Sequence, residues 1–263
     1  MNTRTNTRMP ALFLGHGSPM NAIESSRYSE AWEQLGADLP KPKAILMVSA
    51  HWYTRGTAVT AMQKPRTIHD FGGFPQALFD VQYPAPGSPA LAARVSELLK
   101  PAQVEADQEW GLDHGTWGVL VHVYPDADVP VVQLSIDGSR PPQYHYDLAK
   151  KLAPLRDEGV LIAGSGNVVH NLRTMRRDGQ NTPYDWATGF ENAVREHAQR
   201  GEHQALIDYE GFGEAARLSV PTPEHYLPLL YVLAQQQEDD KVSFPTAGID
   251  LGSISMLSVA IGA

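Results

Sequence analysis

The chain has 263 residues, with 21 Lys and Arg against 30 Asp and Glu, and a formal net charge of −9 with histidine neutral. Hydrophobic residues at 42% and charged residues at 19% match ordinary globular usage and exclude wholesale disorder, and an acidic balance without a basic run argues against nucleic acid or an anionic membrane as partner. With no cysteine there are no disulfides, thiolate metal sites or cysteine nucleophiles, so any metal falls to nitrogen and oxygen donors, and the 10 histidines make that question central.

Residues 1–8 are polar, with no apolar stretch behind the arginines long enough for a secretory signal, and read as a flexible leader. Residues 9–263 read as one catalytic α/β domain. Apolar runs at 11–14, 44–48 and 57–61 are predicted strands, and a helix over 28–39 lies between the first two and stops at Pro40. A helix over 89–100 opens with a Ser88 cap and Pro89 at its first position. A strand at 129–134, a helix over 143–155 and a strand at 160–163 follow. Helices over 186–199 and 223–235 come next, the second opening on Thr222-Pro223, and the last strand is expected at 254–261. Several of these strands are apolar at consecutive positions, as in sheets covered on both faces. The fold expected is α/β, a mostly parallel or mixed central sheet with helices on both faces. No apolar run approaches the roughly 18 residues of a membrane span, so a cytoplasmic protein is expected, monomeric or a small homo-oligomer.

Parallel sheets bind ligands just beyond the carboxyl ends of their strands. The run ending at Leu14 leads into Gly15-His16-Gly17, that ending at Val48 into Ser49-Ala50-His51, and that ending at Ala163 into Gly164-Ser165-Gly166-Asn167, with His170 close behind. His225 falls in the first turn of the helix that Thr222 is expected to cap. Singly, each of these residues reads as readily as hydrogen-bonded structure; together, histidines at separate strand exits suit one metal. His114, in Gly111-Leu112-Asp113-His114-Gly115, is either a loop residue with a function or a bystander to a helix that Asp113 caps. His69 sits in an aromatic, glycine-hinged segment that reads as an ordered surface loop or a flap over a pocket. His122, His145, His197 and His203 read as helix-face or surface residues. Gly164-Ser165-Gly166 lacks the third glycine of a dinucleotide loop, and neither a nucleophile elbow nor a phosphate loop is present.

Six motifs in order, Leu14-Gly15-His16-Gly17-Ser18-Pro19-Met20, Ser49-Ala50-His51-Trp52, His69-Asp70-Phe71-Gly72-Gly73-Phe74-Pro75, Asp113-His114-Gly115, Gly166-Asn167-Val168-Val169-His170-Asn171 and Thr222-Pro223-Glu224-His225-Tyr226, resemble the extradiol DOPA 4,5-dioxygenase family, a branch of the class III, LigB-type ring-cleaving dioxygenases. The resemblance runs from about Met9 to the C-terminus. It implies that His16, His51 and His225 bind one metal, with zinc as the bound ion, Fe(II) as a candidate catalytic metal and O2 as co-substrate. It also implies that His170 is the acid–base residue or a fourth ligand, and that His114 contacts substrate or oxygen. The substrate implied is a small catechol such as L-DOPA, cleaved at the 4,5 bond to a seco product that cyclises to betalamic acid. One departure stands out. The wider class binds Fe(II) through two histidines and a carboxylate, whereas here His225 occupies the carboxylate position, with Glu224 adjacent.

Two other classes compete with this reading. Zinc on three histidines with an open fourth position also suits a hydrolase or amidase, with Glu224 or Asp113 as base. A non-catalytic metal-binding protein of the Memo type is the other.

Overall fold

Consecutive apolar residues of the central strands divide between two cores. Ile45 and Met47 pack into one buried cluster and Leu46 and Val48 into the other, and Leu12 and Leu14 part from Ala11 and Phe13 in the same way. Successive side chains point to opposite faces of a strand, so such runs demand cover on both sides. The computed structural model supplies that cover, and it describes residues 8–177 and 181–263. The expected leader therefore lies, for residues 1–7, outside the described residues; Arg8 pairs with Asp157 at 2.9 Å.

Strands are numbered in chain order. The main sheet has eight strands in the order β4 (Val104–Asp107), β3 (Thr57–Thr60), β5 (Val131–Asp137), β2 (Ala44–Thr54), β6 (Val160–Gly166), β1 (Ala11–Gly15), β10 (Val259–Ile261) and β7 (Val242–Ser243). Its centre, β5-β2-β6-β1, is parallel throughout. Antiparallel pairing enters on either side, β10 against β1 and β3 against β5, so the sheet is mixed. A separate ribbon joins β8 (Ile249–Asp250) to β9 (Ile254–Ser255). Tyr28 and Trp32 of the helix Arg27–Asp38 and Trp117 and Leu120 of the helix His114–Val123 cover one face. The helices Pro89–Leu98, Pro142–Lys150, Asp185–Arg200 and Leu227–Leu233 cover the other. Among the described residues no helix is long and apolar enough to cross a membrane.

Several sequence expectations shift. The strand expected at 254–261 divides into β9 and β10, which belong to different sheets. The helix expected over 143–155 breaks into Pro142–Lys150 and Pro154–Asp157, because Pro154 has no N–H to continue the ladder. The helix expected over 223–235 is regular only over Leu227–Leu233, and Thr222 donates its hydroxyl to Glu224 Oε1 at 2.8 Å instead of capping it. His145, expected on a helix face or surface, is fully buried and bonded through Nδ1 to the Tyr231 hydroxyl at 2.9 Å.

Candidate functional site

His16 follows β1 directly, and its backbone N–H donates to Gly166 O at 3.2 Å, so the exits of β1 and β6 are tied together. Its ring is buried, with Nδ1 2.9 Å from Ser165 Oγ on β6. His51 does not follow a strand end. It lies inside β2, which continues to Thr54 through a register shift between Val48 and Tyr53, and such a bulge re-aims side chains. The chain then brings the start of the helix His114–Val123 against it: a Cβ on Gly115 would stand 2.5 Å from Ser49 Oγ and 2.8 Å from His51 Cδ2. Asp113 is the N-cap of that helix, accepting from Thr116 N at 3.1 Å and Ser49 Oγ at 2.7 Å, while Gln133 Nε2 donates to its other oxygen at 2.6 Å. His114 comes with the cap, its ring centroid 3.9 Å from that of His51.

The fourth element arrives from the far end of the chain. Asn167 N donates to His225 O at 2.9 Å, and a Cβ on Gly166 would stand 2.1 Å from that same carbonyl. Only glycine lets the turn carrying His225 approach β6 so closely. His170 sits in the loop beyond β6, held by its N–H to Ser219 O at 2.8 Å and by a bridge to Ile254. Its ring stacks on His225 with centroids 3.5 Å apart and planes within 8°.

The structure thus brings all five histidines of the sequence reading to one place. Donor atoms of His16, His51 and His225 lie within 4.8 Å of one another. Among the described residues His170 does not join that trio; its donor atom groups with those of Glu224 and His225. Burial, followed by the mutual repulsion of the rings, holds the pKa of His16 and of His225 well below the ordinary histidine value. Burial likewise lowers His51 to about 3 and His170 to about 4, with Glu224 opposing the shift at both. These are neutral imidazoles near pH 7, the form that binds metal.

The donor set fits a cation. Nδ1 of His16 faces Ser165 Oγ at 2.9 Å, Nδ1 of His51 faces Asp70 Oδ2 at 3.6 Å and Nδ1 of His225 faces Glu224 Oε1 at 3.3 Å. A carboxylate only accepts, so it favours the proton on Nδ1 and leaves Nε2 as a lone pair. His16 Nε2 and His51 Nε2 face each other at 3.2 Å, a spacing at which one cation can take both as ligands.

Two residues of this environment carry no role in the sequence reading. Ser165 was visible only as part of a failed dinucleotide loop. Asp70 was visible only as one letter of the His69–Pro75 motif, yet its carboxylate reaches both His51 and His114. His69 itself turns away from the cluster and bonds to Val81 O at 2.9 Å.

A mixed α/β sheet with buried imidazoles gathered over its central parallel strands is an arrangement that could hold a metal through nitrogen. The chain belongs to the LigB family of aromatic ring-opening dioxygenases, since the model of the catalytic LigB subunit of aromatic ring-opening dioxygenase matches residues 10–261. It is 58% identical over 262 residues to the 4,5-DOPA dioxygenase extradiol of Escherichia coli K12, covering 98% of this chain and 96% of that one. It is 39% identical to the protein of the same name from Beta vulgaris, with 92% of each covered. The crystal structure of an uncharacterized Escherichia coli K12 protein superposes with a TM-score of 0.86 at 52% identity, covering 97% of this chain and 100% of that one. These relatives place the chain among the extradiol ring-opening enzymes.

Proposed function

We propose that the protein opens the ring of a small catechol beside its diol with O2, that L-DOPA is a substrate, and that the metal is held by His16, His51 and His225. The observation that carries this reading is the convergence of three histidines whose donor atoms lie within 4.8 Å of one another and whose Nδ1 atoms each face an oxygen, an arrangement that suits a cation bound through Nε2. A metal bound there would supply the positive charge that acidifies catechol hydroxyls and, as Fe(II), the redox capacity that O2 chemistry needs. Zinc holds the same ligands but is redox-silent, so iron is the ion assigned to turnover and zinc a competing occupant.

The remaining steps belong to the chain's own side chains. His170, neutral at pH 7 and stacked on His225, accepts a phenolic proton as the catechol docks and returns it as the ring opens. His114, edge-on to Phe71 and against His51, presents a polar group to substrate or oxygen. Of the carboxylates that a hydrolase would use as base, Asp113 is a buried helix cap, and Glu224 Oε1 accepts from Thr222 and faces the His225 ring. Identifying the product tests the reading. Iron-loaded protein given L-DOPA in air is expected to form a yellow, ring-opened product carrying two added oxygen atoms by mass. An unchanged catechol, or a hydrolysed amide or ester in a parallel screen, contradicts it.

A further inference from the structure

The His69–Pro75 segment is anchored on both sides of one carboxylate. Before it, Ile68 N donates to Leu112 O at 2.7 Å, Trp117 Nε1 donates to Ile68 O at 2.8 Å and His69 Nε2 donates to Val81 O at 2.9 Å. After it, the Phe71 ring packs edge-on against Phe74 and His114, both with centroids 5.5 Å away. Asp70, held between these anchors, places Oδ1 2.9 Å from the backbone N of His114 and 2.9 Å from its Nδ1. Oδ2 stands 3.6 Å from His51 Nδ1. Ser165 and Glu224 each face the Nδ1 of one histidine, whereas Asp70 faces two at once.

We infer that Asp70 is a positioning residue for this site: its carboxylate sets His51 with Nε2 turned toward His16 and ties His114 beside it, so that one side chain fixes both a metal ligand and its polar neighbour. The inference rests on His16, His51 and His225 being the ligands. Partners of this kind orient a ligating imidazole and set its tautomer, and losing one weakens metal binding by roughly 10–100-fold. Asn at this position keeps the shape and can still accept from His114 N, but it offers an N–H where His51 needs an acceptor.

The test is zinc affinity by chelator competition on stripped, refilled protein, wild type against Asp70→Asn, together with 15N spectra of the ring nitrogens of the zinc-loaded wild type. The expected results are zinc affinity lower by about 10–100-fold in the variant, its iron-dependent turnover recovered in part by excess metal, and a His51 ring protonated on Nδ1 and bound through Nε2. Variant affinity within twofold of wild type overturns the inference, as does a His51 bound through Nδ1. The spectra need no variant and decide the matter even if Asp70→Asn fails to fold. Wild-type protein that binds no zinc at these histidines sinks the ligand assignment itself, a different result from a variant that binds as well as wild type.

Discussion

Residue by residue, the five histidines divide between binding a metal and handling protons or oxygen. His16→Ala or His51→Ala is expected to abolish stoichiometric metal binding, while His170→Ala keeps most of the metal and loses about 10²- to 10⁴-fold in turnover, the usual worth of a positioned proton carrier. Metal content by atomic emission and oxygen uptake on the same preparations check this, and a His170→Ala enzyme with full activity would remove its acid–base role. His16, His51 and His170 were legible because they follow apolar runs, His114 because it sits in a glycine-rich stretch and His225 because Thr222-Pro223 marks a helix start beside it, all in a chain without cysteine. Asp70 was not. Its meaning depends on His114 being 44 residues further on, and nothing local distinguishes a carboxylate that reaches back to a helix start from one in solvent.

At the scale of elements, strand exits were legible and the devices that aim side chains were not. Apolar runs located β1, β2, β5 and β6, but the bulge that turns His51 follows from the mismatch between β2 and β5, which is tertiary information. The helix His114–Val123 was legible only as one of two alternatives, through its Asp113 cap, because Gly115 and Gly118 depress helix propensity, and close packing on His51 and Ser49 is what requires the first of them. Gly166 is the sharpest case, since any side chain there meets the His225 carbonyl. Gly166→Ala is expected to cost about 1–3 kcal/mol in stability, as overpacking does, and to weaken zinc binding by displacing His225. Denaturant midpoints and chelator titration measure the two effects, and wild-type values for both would show that the turn carrying His225 yields freely.

At the scale of the whole molecule, the two-sided core fixes where the histidines meet, and the same burial makes the metal-free protein sensitive to acid. His51 at about 3, His145 at about 4 and His170 at about 4 lie below the unfolded value near 6.5 because burial penalises the charged ring. Above pH 6.5 the folded and unfolded states hold these protons equally. Between 6.5 and 4 the unfolded chain binds protons that the folded chain refuses, so stability falls as pH drops, by up to about 1.4 kcal/mol per unit for each such group. Buried Asp113, whose pKa burial raises, acts in the opposite sense but is a single group. The urea midpoint of metal-free protein is expected to decline steeply from pH 7 to pH 5; a flat profile would mean that these rings are wetter than their burial implies. The two covered faces of the sheet were legible from apolar runs and alternating helices, whereas the edge strands β7 and β4 were not, because strands of two to four residues carry too little pattern.

Redox ring opening at a histidine-held metal is best checked by oxygen uptake with L-DOPA on metal-stripped protein refilled separately with Fe(II) and with Zn(II). Uptake and a yellow product are expected with iron and neither with zinc. Equal inactivity with both ions, in protein shown to hold them at His16, His51 and His225, would contradict it.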